Sequence, residues 1–115
     1  MNMSKLSNEK AALDNMALPG NMDAVQVSKA SQVLRAINHP LRQKMLRYIH
    51  QREGANVTDI YIKLRLEQSV TSQHLAILRK AGFVNTNRDG KQIFYSINYD
   101  KLNQVQELSR QILDN

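Results

Sequence analysis

Residues 56–97 read NVTDIYIKLRLEQSVTSQHLAILRKAGFVNTNRDGKQIFYSI, and the spacing of their apolar side chains changes once along the way. Up to Gly82 the apolar residues recur every three or four positions, as on one face of a helix. Beyond Gly82 they recur about every second position, as in a strand. This stretch therefore predicts a helical segment that is followed directly by strands.

Within the helical part, the pattern predicts two helices separated by a short turn. Asn56 is suited to cap the first helix, with Asp59 as the acid at its third position. A second helix begins after Leu66 and runs to Gly82, a residue type that commonly ends helices. A short helix, a turn of about four residues and a longer helix have the spacing of a helix-turn-helix.

The flanking sequence adds helices on both sides and a hairpin in between. A helical pattern begins at Asp23, and Pro40 is well placed as the first residue of the next helix. Asp89 and Gly90 lie between two β-prone runs, which favours a hairpin, and residues 100–113 are helical again. We therefore expect a mainly α fold with a small antiparallel β-hairpin, in the order α-α-α-α-β-β-α. This order is that of a winged helix-turn-helix.

Length and composition exclude several kinds of protein. The chain has 115 residues and no cysteine, so we expect one domain, and disulfide scaffolds, thiolate zinc sites and cysteine nucleophiles are excluded. No apolar run approaches the roughly 20 residues that span a bilayer, and the N-terminus is too polar for a signal peptide. A cytoplasmic protein with no membrane partner is expected.

The charge is unevenly distributed along the chain. Sixteen Lys and Arg against ten Asp and Glu give a net charge of +6. Residues 1–24 contain two bases and three acids, whereas the remaining residues contain fourteen bases and seven acids. A basic body behind a slightly acidic tail favours a polyanionic partner, of which double-stranded DNA is the simplest.

The second helix of the pair has one largely apolar face and one small, polar face. At about 100° per residue, Leu75 and Leu78 point one way and the residues around Ser69 point the other way. Small side chains let a helix approach the floor of the major groove, where Gln and Ser can bond to base edges or phosphates. With the basic hairpin tip included, the predicted DNA-binding residues are Gln68, Ser69, Ser72, Gln73, Lys80, Arg88 and Lys91. Solvated surface charges and an ordinary exposed helix face are the alternative interpretation.

Three segments, in this order, resemble parts of ArsR/SmtB-type transcriptional regulators. Residues 36–46 resemble a helix junction of that family, residues 72–84 resemble its recognition helix and exit, and residues 88–97 resemble its wing. The resemblance covers roughly residues 30–100. It implies a winged helix, sequence-specific DNA binding and a dimer interface formed by the first and last helices.

Two residues of these motifs leave alternatives open. The family's motif carries a histidine at the position of His74, but the helical angle of this residue points toward the core. A structural, hydrogen-bonded histidine is therefore favoured over direct base readout. Arg42 matches the family's arginine after the proline, and a local salt bridge and a phosphate contact are equally compatible with it.

The metal sites of the resembled family are not matched here. Its arsenic- and lead-type site resembles two cysteines flanking a valine, and Asn56 and Thr58 occupy those positions. Its zinc-type site on the C-terminal helix needs Asp, His, His and Glu. The corresponding positions carry Tyr99, Lys101, Ile112 and Asn115. The three histidines of the chain also lack the spacing of metal ligands, so we expect no metal and no cofactor.

The C-terminal helix carries one apolar stripe, formed by Leu102, Val105, Leu108 and Ile112. A lone amphipathic helix after the wing has little domain left to cover, so a second subunit is its natural partner. The same stripe could instead close the core of its own chain. We interpret residues 1–22 as a flexible or short helical arm, and residues 23–115 as a winged-helix DNA-binding and dimerisation domain.

These patterns predict a dimeric, sequence-specific DNA-binding regulator. We expect a repressor that is not controlled by metal and binds an imperfect palindrome, because a dimer presents two recognition helices to successive major grooves. The chain has no Gly-rich phosphate loop and no nucleophile elbow, so enzyme activity is not expected. The alternative is a winged-helix protein-interaction module that does not read DNA. The sequence identifies no effector.

Overall fold

The structure is a computed structural model that describes residues 3–114, with side chains from residue 5 onward. Its contacts divide the chain into two units, the second of which begins at Gln32. The first unit holds helix α1 (Met3–Asn15), a 3₁₀ helix (Pro19–Asn21) and the beginning of helix α2 (Ala24–Ile37). Every described side chain of this unit is exposed.

Helix α1 lies within residues 1–22, which the sequence assigns to a flexible or short helical N-terminal arm. That arm and its separation from a domain at residues 23–115 stay predictions. Residues 1, 2 and 115, which belong to those ranges, lie outside the described residues.

The second unit is a winged helix, as predicted. It continues with α3 (Pro40–Arg52), β1 (Ala55–Asn56), α4 (Val57–Leu64), α5 (Gln68–Lys80), β2 (Val84–Asp89), β3 (Gln92–Ile97) and α6 (Tyr99–Leu113). The strands form an antiparallel sheet in the order β1-β3-β2. The sequence pattern missed β1, which pairs Ala55 with Tyr95 and Asn56 with Phe94. A two-residue strand is too short to display an alternating pattern.

Side chains determine where three of the helices begin. The Nδ1 atom of His39 accepts hydrogen bonds from the backbone N–H groups of Leu41 and Arg42 at 3.2 and 3.4 Å, and Pro40 follows as the first residue of α3. Asn56 Oδ1 accepts from Asp59 N at 2.8 Å, which confirms it as the cap of α4. Asn98 caps α6 in the same way. Each cap satisfies donors that a helix start leaves free.

The core of the second unit lies between α3, α4, α5 and the sheet. Its largest fully buried side chains belong to Phe83, Met45, Ile49, Ile60, Leu75, Leu78 and Thr71. The apolar members supply most of the stabilisation, because removing a buried Leu-sized side chain from water contributes about 1.5–3 kcal/mol. Thr71 belongs there because its hydroxyl donates to the carbonyl of Glu67 at 3.0 Å.

The hairpin that forms the wing is tighter than the sequence predicts. Asp89 pairs directly with Gln92, so only Gly90 and Lys91 form the turn. Gly90 has a φ of +63°, at the first turn position, where a type II′ turn favours glycine. Arg88, expected in the loop, belongs to the end of β2 and pairs with Ile93.

Candidate nucleic-acid interface

Helix α5 has a buried side and an exposed side, and the exposed residues include the apolar Ile77, at 41%. Thr71, Leu75 and Leu78 are buried on the inner side. The five predicted DNA-binding residues of this helix are all exposed: Gln68, Ser69, Ser72, Gln73 and Lys80. We call the exposed residues Ser69, Ser72 and Gln73 the outer row. Together they form a small, polar surface that a DNA groove can accommodate.

The side chains of the outer row, Ser69, Ser72 and Gln73, make no hydrogen bond within residues 5–114. Thr71 and Ser109, by contrast, donate their hydroxyls back to their own helices. The polar atoms of the outer row are therefore available to an external partner.

The start of α5 has an unusual cap. Glu67 occupies the N-cap position, and its side chain makes no capping hydrogen bond. A carboxylate near a helix N-terminus interacts favourably with the helix dipole. The same carboxylate repels a phosphate that approaches closely. Glu67 is therefore expected to restrict how closely phosphates approach this end of the helix.

The wing presents two cations near its tip. Arg88 and Lys91 are exposed. In the described part of the chain, the one salt bridge is between Arg110 and Glu107 of α6, at 3.0 Å. The charges of Arg88 and Lys91 therefore remain available for phosphate groups.

A side-chain contact that the sequence did not predict joins the wing to the helix-turn-helix. Asn56 Nδ2 donates to Gln92 Oε1 at 3.2 Å, while Asn56 Oδ1 caps α4. The two residues are 36 positions apart, and no local pattern reveals such a pair. One amide thus connects the start of α4 with the base of the wing turn.

Arg42 has a different role from both of those predicted. Its side chain is 8% exposed, and Nε and Nη2 donate to the carbonyls of Ala36 and Arg35 at 2.6 and 3.2 Å. The third contact, from Nη1 to His74 Nδ1, spans 3.2 Å. The prediction of a local salt bridge is therefore wrong, because the partners of the guanidinium are two backbone carbonyls and an imidazole. The guanidinium is also largely buried and bonded to these three partners, which disfavours a phosphate contact.

His74 is a structural histidine, as its helical angle predicted. It is half-buried on the inner side of α5, and its ring centroid lies 4.9 Å from that of His39. Burial lowers the pKa of His74, and the electrostatic effect of the nearby His39 and Arg42 lowers it further. The neutral imidazole that results can accept the hydrogen bond from Arg42.

The stripe of α6 is divided into two halves. Leu102 and Val105 are half-buried and pack against the core of their own chain. Leu108 and Ile112 are 42% and 61% exposed. The first half of the stripe therefore packs on the core of its own chain, which is the alternative that the sequence left open. The second half remains exposed in the described part of the chain.

The structure does not bring together a metal-binding group within the described residues. No cluster of three or more His, Cys, Asp or Glu side chains is suited to a metal there. Of the zinc-type positions, Tyr99 has its hydroxyl 2.7 Å from His50 Nδ1, and Asn115 lies outside the described residues. None of the helices in residues 3–114 has the length and apolar character needed to cross a membrane.

Comparison with known proteins identifies a family match in the region around α5. A family model described as bacterial regulatory protein, arsR family, matches residues 39–86. The match begins at the cap of α3 and ends within β2, so it contains both helices of the helix-turn-helix.

Two relatives match beyond this region. The chain is 36% identical over 78 residues to the transcriptional repressor PagR of Bacillus anthracis, which covers 68% of this chain and 78% of PagR. It is 32% identical over 92 residues to the transcriptional activator HlyU of Vibrio cholerae, which covers 78% of this chain and 84% of HlyU. The crystal structure of PagR matches with a TM-score of 0.60 at 32% identity, over 75% of this chain and 98% of PagR.

Proposed function

The chain belongs to the arsR family of bacterial regulatory proteins, and on this premise we propose that it binds DNA sequence-specifically as a homodimer. The family is one of transcription regulators and not of enzymes. The observation that carries the proposal is the outer row of α5, whose polar side chains are exposed and make no hydrogen bonds within residues 5–114.

In the proposed complex, α5 enters the major groove. Ser69, Ser72 and Gln73 face the base edges, and Gln68 and Lys80 lie toward the two ends of the helix. Gln can pair with adenine through two hydrogen bonds, whereas Ser bonds to several bases. Arg88 and Lys91 neutralise phosphates beside the groove, which strengthens binding to any sequence.

The second subunit is proposed to cover the exposed half of the α6 stripe. Leu108 and Ile112 are apolar and exposed, and a second copy of α6 offers the same surface, as a two-fold symmetric interface requires. The half-buried residues Leu102 and Val105 then form the border of this interface. Such a dimer presents two copies of α5 to an imperfect palindrome.

The proposed output is repression by occupation of a promoter in the cytoplasm. The relatives do not decide the sign of regulation, since PagR is named a repressor and HlyU an activator. We infer control without a metal, because Asn56, Thr58 and Lys101 replace ligands that the metal-responsive sites need. No effector is assigned.

A gel-shift experiment with fragments of the source genome tests DNA binding. We expect a subset of fragments to shift, and their affinity to fall by orders of magnitude between about 50 and 200 mM salt. A protein-interaction module that does not read DNA would shift no fragment selectively. Binding that is equal for all fragments would contradict sequence-specific recognition.

The proposal that DNA binding is not controlled by a metal has a separate test. The fragments that shift should be bound with the same affinity in the presence of zinc, cadmium or arsenite and in the presence of a chelator. Release of the DNA by any of these ions would contradict metal-independent control.

A further inference from the structure

Arg42 is a buried cation that connects three parts of the winged helix. It lies near the start of α3, its Nε and Nη2 atoms bind the end of α2, and its Nη1 atom contacts His74 on α5. A guanidinium buried to this extent is costly unless its donors have partners. Arg42 has three such partners, so its position depends on α2, α3 and α5 together.

The contacts at α2 complete the end of that helix. The last four carbonyls of a helix have no partners within it. Asn38 N donates to Leu34 O, and His39 N donates to Ile37 O, both at 2.9 Å. The two carbonyls that remain between them, those of Arg35 and Ala36, are the ones that Arg42 binds. A cation is also favoured at this negative end of the helix dipole.

The contact at α5 acts on the helix that carries the outer row. His74 directly follows Gln73, and the two side chains are about 100° apart around the helix axis. Holding the imidazole of His74 from the inner side therefore restricts rotation of α5 about its axis. That rotation determines where Ser72 and Gln73 point.

A small rotation matters because direct readout depends on geometry. Hydrogen bonds weaken steeply when their angle is poor, and binding residues must be held within roughly 10–20° of the productive orientation. Phosphate contacts made by long, flexible side chains tolerate more displacement. Removing the bond between Arg42 and His74 should therefore affect binding to the operator more than binding to unrelated DNA.

We propose that Arg42, His39 and His74 form a positioning cluster that fixes the orientation of α5 and thereby determines the sequence-specific part of DNA affinity. His39 belongs to it because its ring lies beside His74 while its Nδ1 atom caps α3, next to Arg42. This proposal rests on the proposed function, since it concerns how the outer row reads DNA.

The test compares two substitutions of His74. His74→Asn keeps an acceptor at a position close to that of Nδ1, whereas His74→Leu removes the acceptor and keeps a side chain of similar size. The probes are a duplex selected by the wild-type protein from a random-sequence pool, and a shuffled duplex of the same composition. We expect His74→Leu to lower affinity for the selected duplex about tenfold relative to the shuffled one, and His74→Asn to retain most of the difference.

Acidification provides a second readout that does not depend on a substitution folding well. Protonation of Nδ1 removes the acceptor and places a positive charge beside Arg42 and His39, the two groups whose electrostatic effect lowers the pKa of His74. Because the pKa of His74 is lowered, selectivity of the wild-type protein should fall only below pH 6.5. The selectivity of His74→Asn should change less over the same range.

The outcomes separate this proposal from the one on which it rests. If the wild-type protein selects no duplex, the proposed function fails. If it does select one, but His74→Leu discriminates as well as the wild type and acid leaves selectivity unchanged, the positioning cluster is wrong. Equal losses for both duplexes would also overturn it, because they indicate a role in stability alone.

Discussion

Helices α5 and α6 are both amphipathic, but within the described residues only α5 has fully buried side chains. Leu75 and Leu78 of α5 are fully buried. No residue of α6 is buried, and its apolar stripe changes from half-buried at Leu102 to 61% exposed at Ile112. The core of the chain therefore fixes α5. The full stabilisation of α6 depends on a further surface, which we propose to be the second subunit.

The largest expected effect is on folding, and it tests the first half of this comparison. Leu78→Ala should lower the free energy of unfolding by about 2–5 kcal/mol, because it leaves a cavity in the core. The matched control is Leu113→Ala on α6, where the side chain is 78% exposed and the change should stay within about 0.5 kcal/mol. Chemical denaturation measures both values. Similar losses would contradict the difference between the helices.

The second effect is on the dimer. Leu108→Glu places a charge in the proposed interface, where each buried Leu-sized side chain contributes about 1.5–3 kcal/mol. We expect sedimentation to show a monomer, and operator affinity to fall with it. Asn103→Glu adds the same charge on the opposite side of α6, where Asn103 is exposed, and should leave the dimer intact. A wild-type monomer that binds its operator with full affinity would disprove this prediction.

The third effect is on readout. Gln73→Ala should weaken binding to the operator by roughly 1–3 kcal/mol and leave non-specific binding nearly unchanged, because it removes the proposed base contact. Gln51→Ala, at an exposed position of α3, serves as the control and should change neither. Quantitative gel shifts with operator and shuffled DNA measure both affinities. Equal losses on the two DNAs would show that Gln73 only contacts the backbone.

The smallest effect is on the salt dependence of binding. Arg88→Ala combined with Lys91→Ala should make the slope of log affinity against log salt shallower, by about 0.9 for each phosphate that the variant no longer neutralises. Lys5→Ala with Lys10→Ala removes the same charge from the arm and should leave the slope nearly unchanged. Titrations at several salt concentrations measure it. An unchanged slope in the wing variant would mean that the hairpin does not contact DNA.

The sequence predicted the elements whose signals are local. The cap at Asn56, the helix start at Pro40 and the change of period at Gly82 depend on neighbouring residues, and the structure has helix boundaries at these points. The strand β1 was missed because two residues are too few to show an alternation of apolar and polar side chains. Helical angles also placed the outer row on the exposed side of α5 and His74 on the inner side. This was possible because the apolar residues of a helix show which of its sides faces the core.

The interactions that hold α5 in place were not predictable from such local patterns. The bonds from Arg42 to the end of α2 and to His74 depend on how three helices meet in space. The α6 stripe illustrates the same limit, because both of its halves consist of aliphatic residues at a helical spacing. Only the packed structure distinguishes Leu102, which adjoins the core, from Leu108, which does not.

The independence of the outer row from the rest of the protein has a consequence for engineering. Ser69, Ser72 and Gln73 take part in no side-chain hydrogen bond within residues 5–114, and all three are exposed. Substitutions at these positions should therefore alter the preferred base sequence at little expense in stability. A combinatorial library confined to these codons would yield proteins with new operator preferences on an unchanged scaffold. Such proteins could serve as orthogonal switches in genetic circuits.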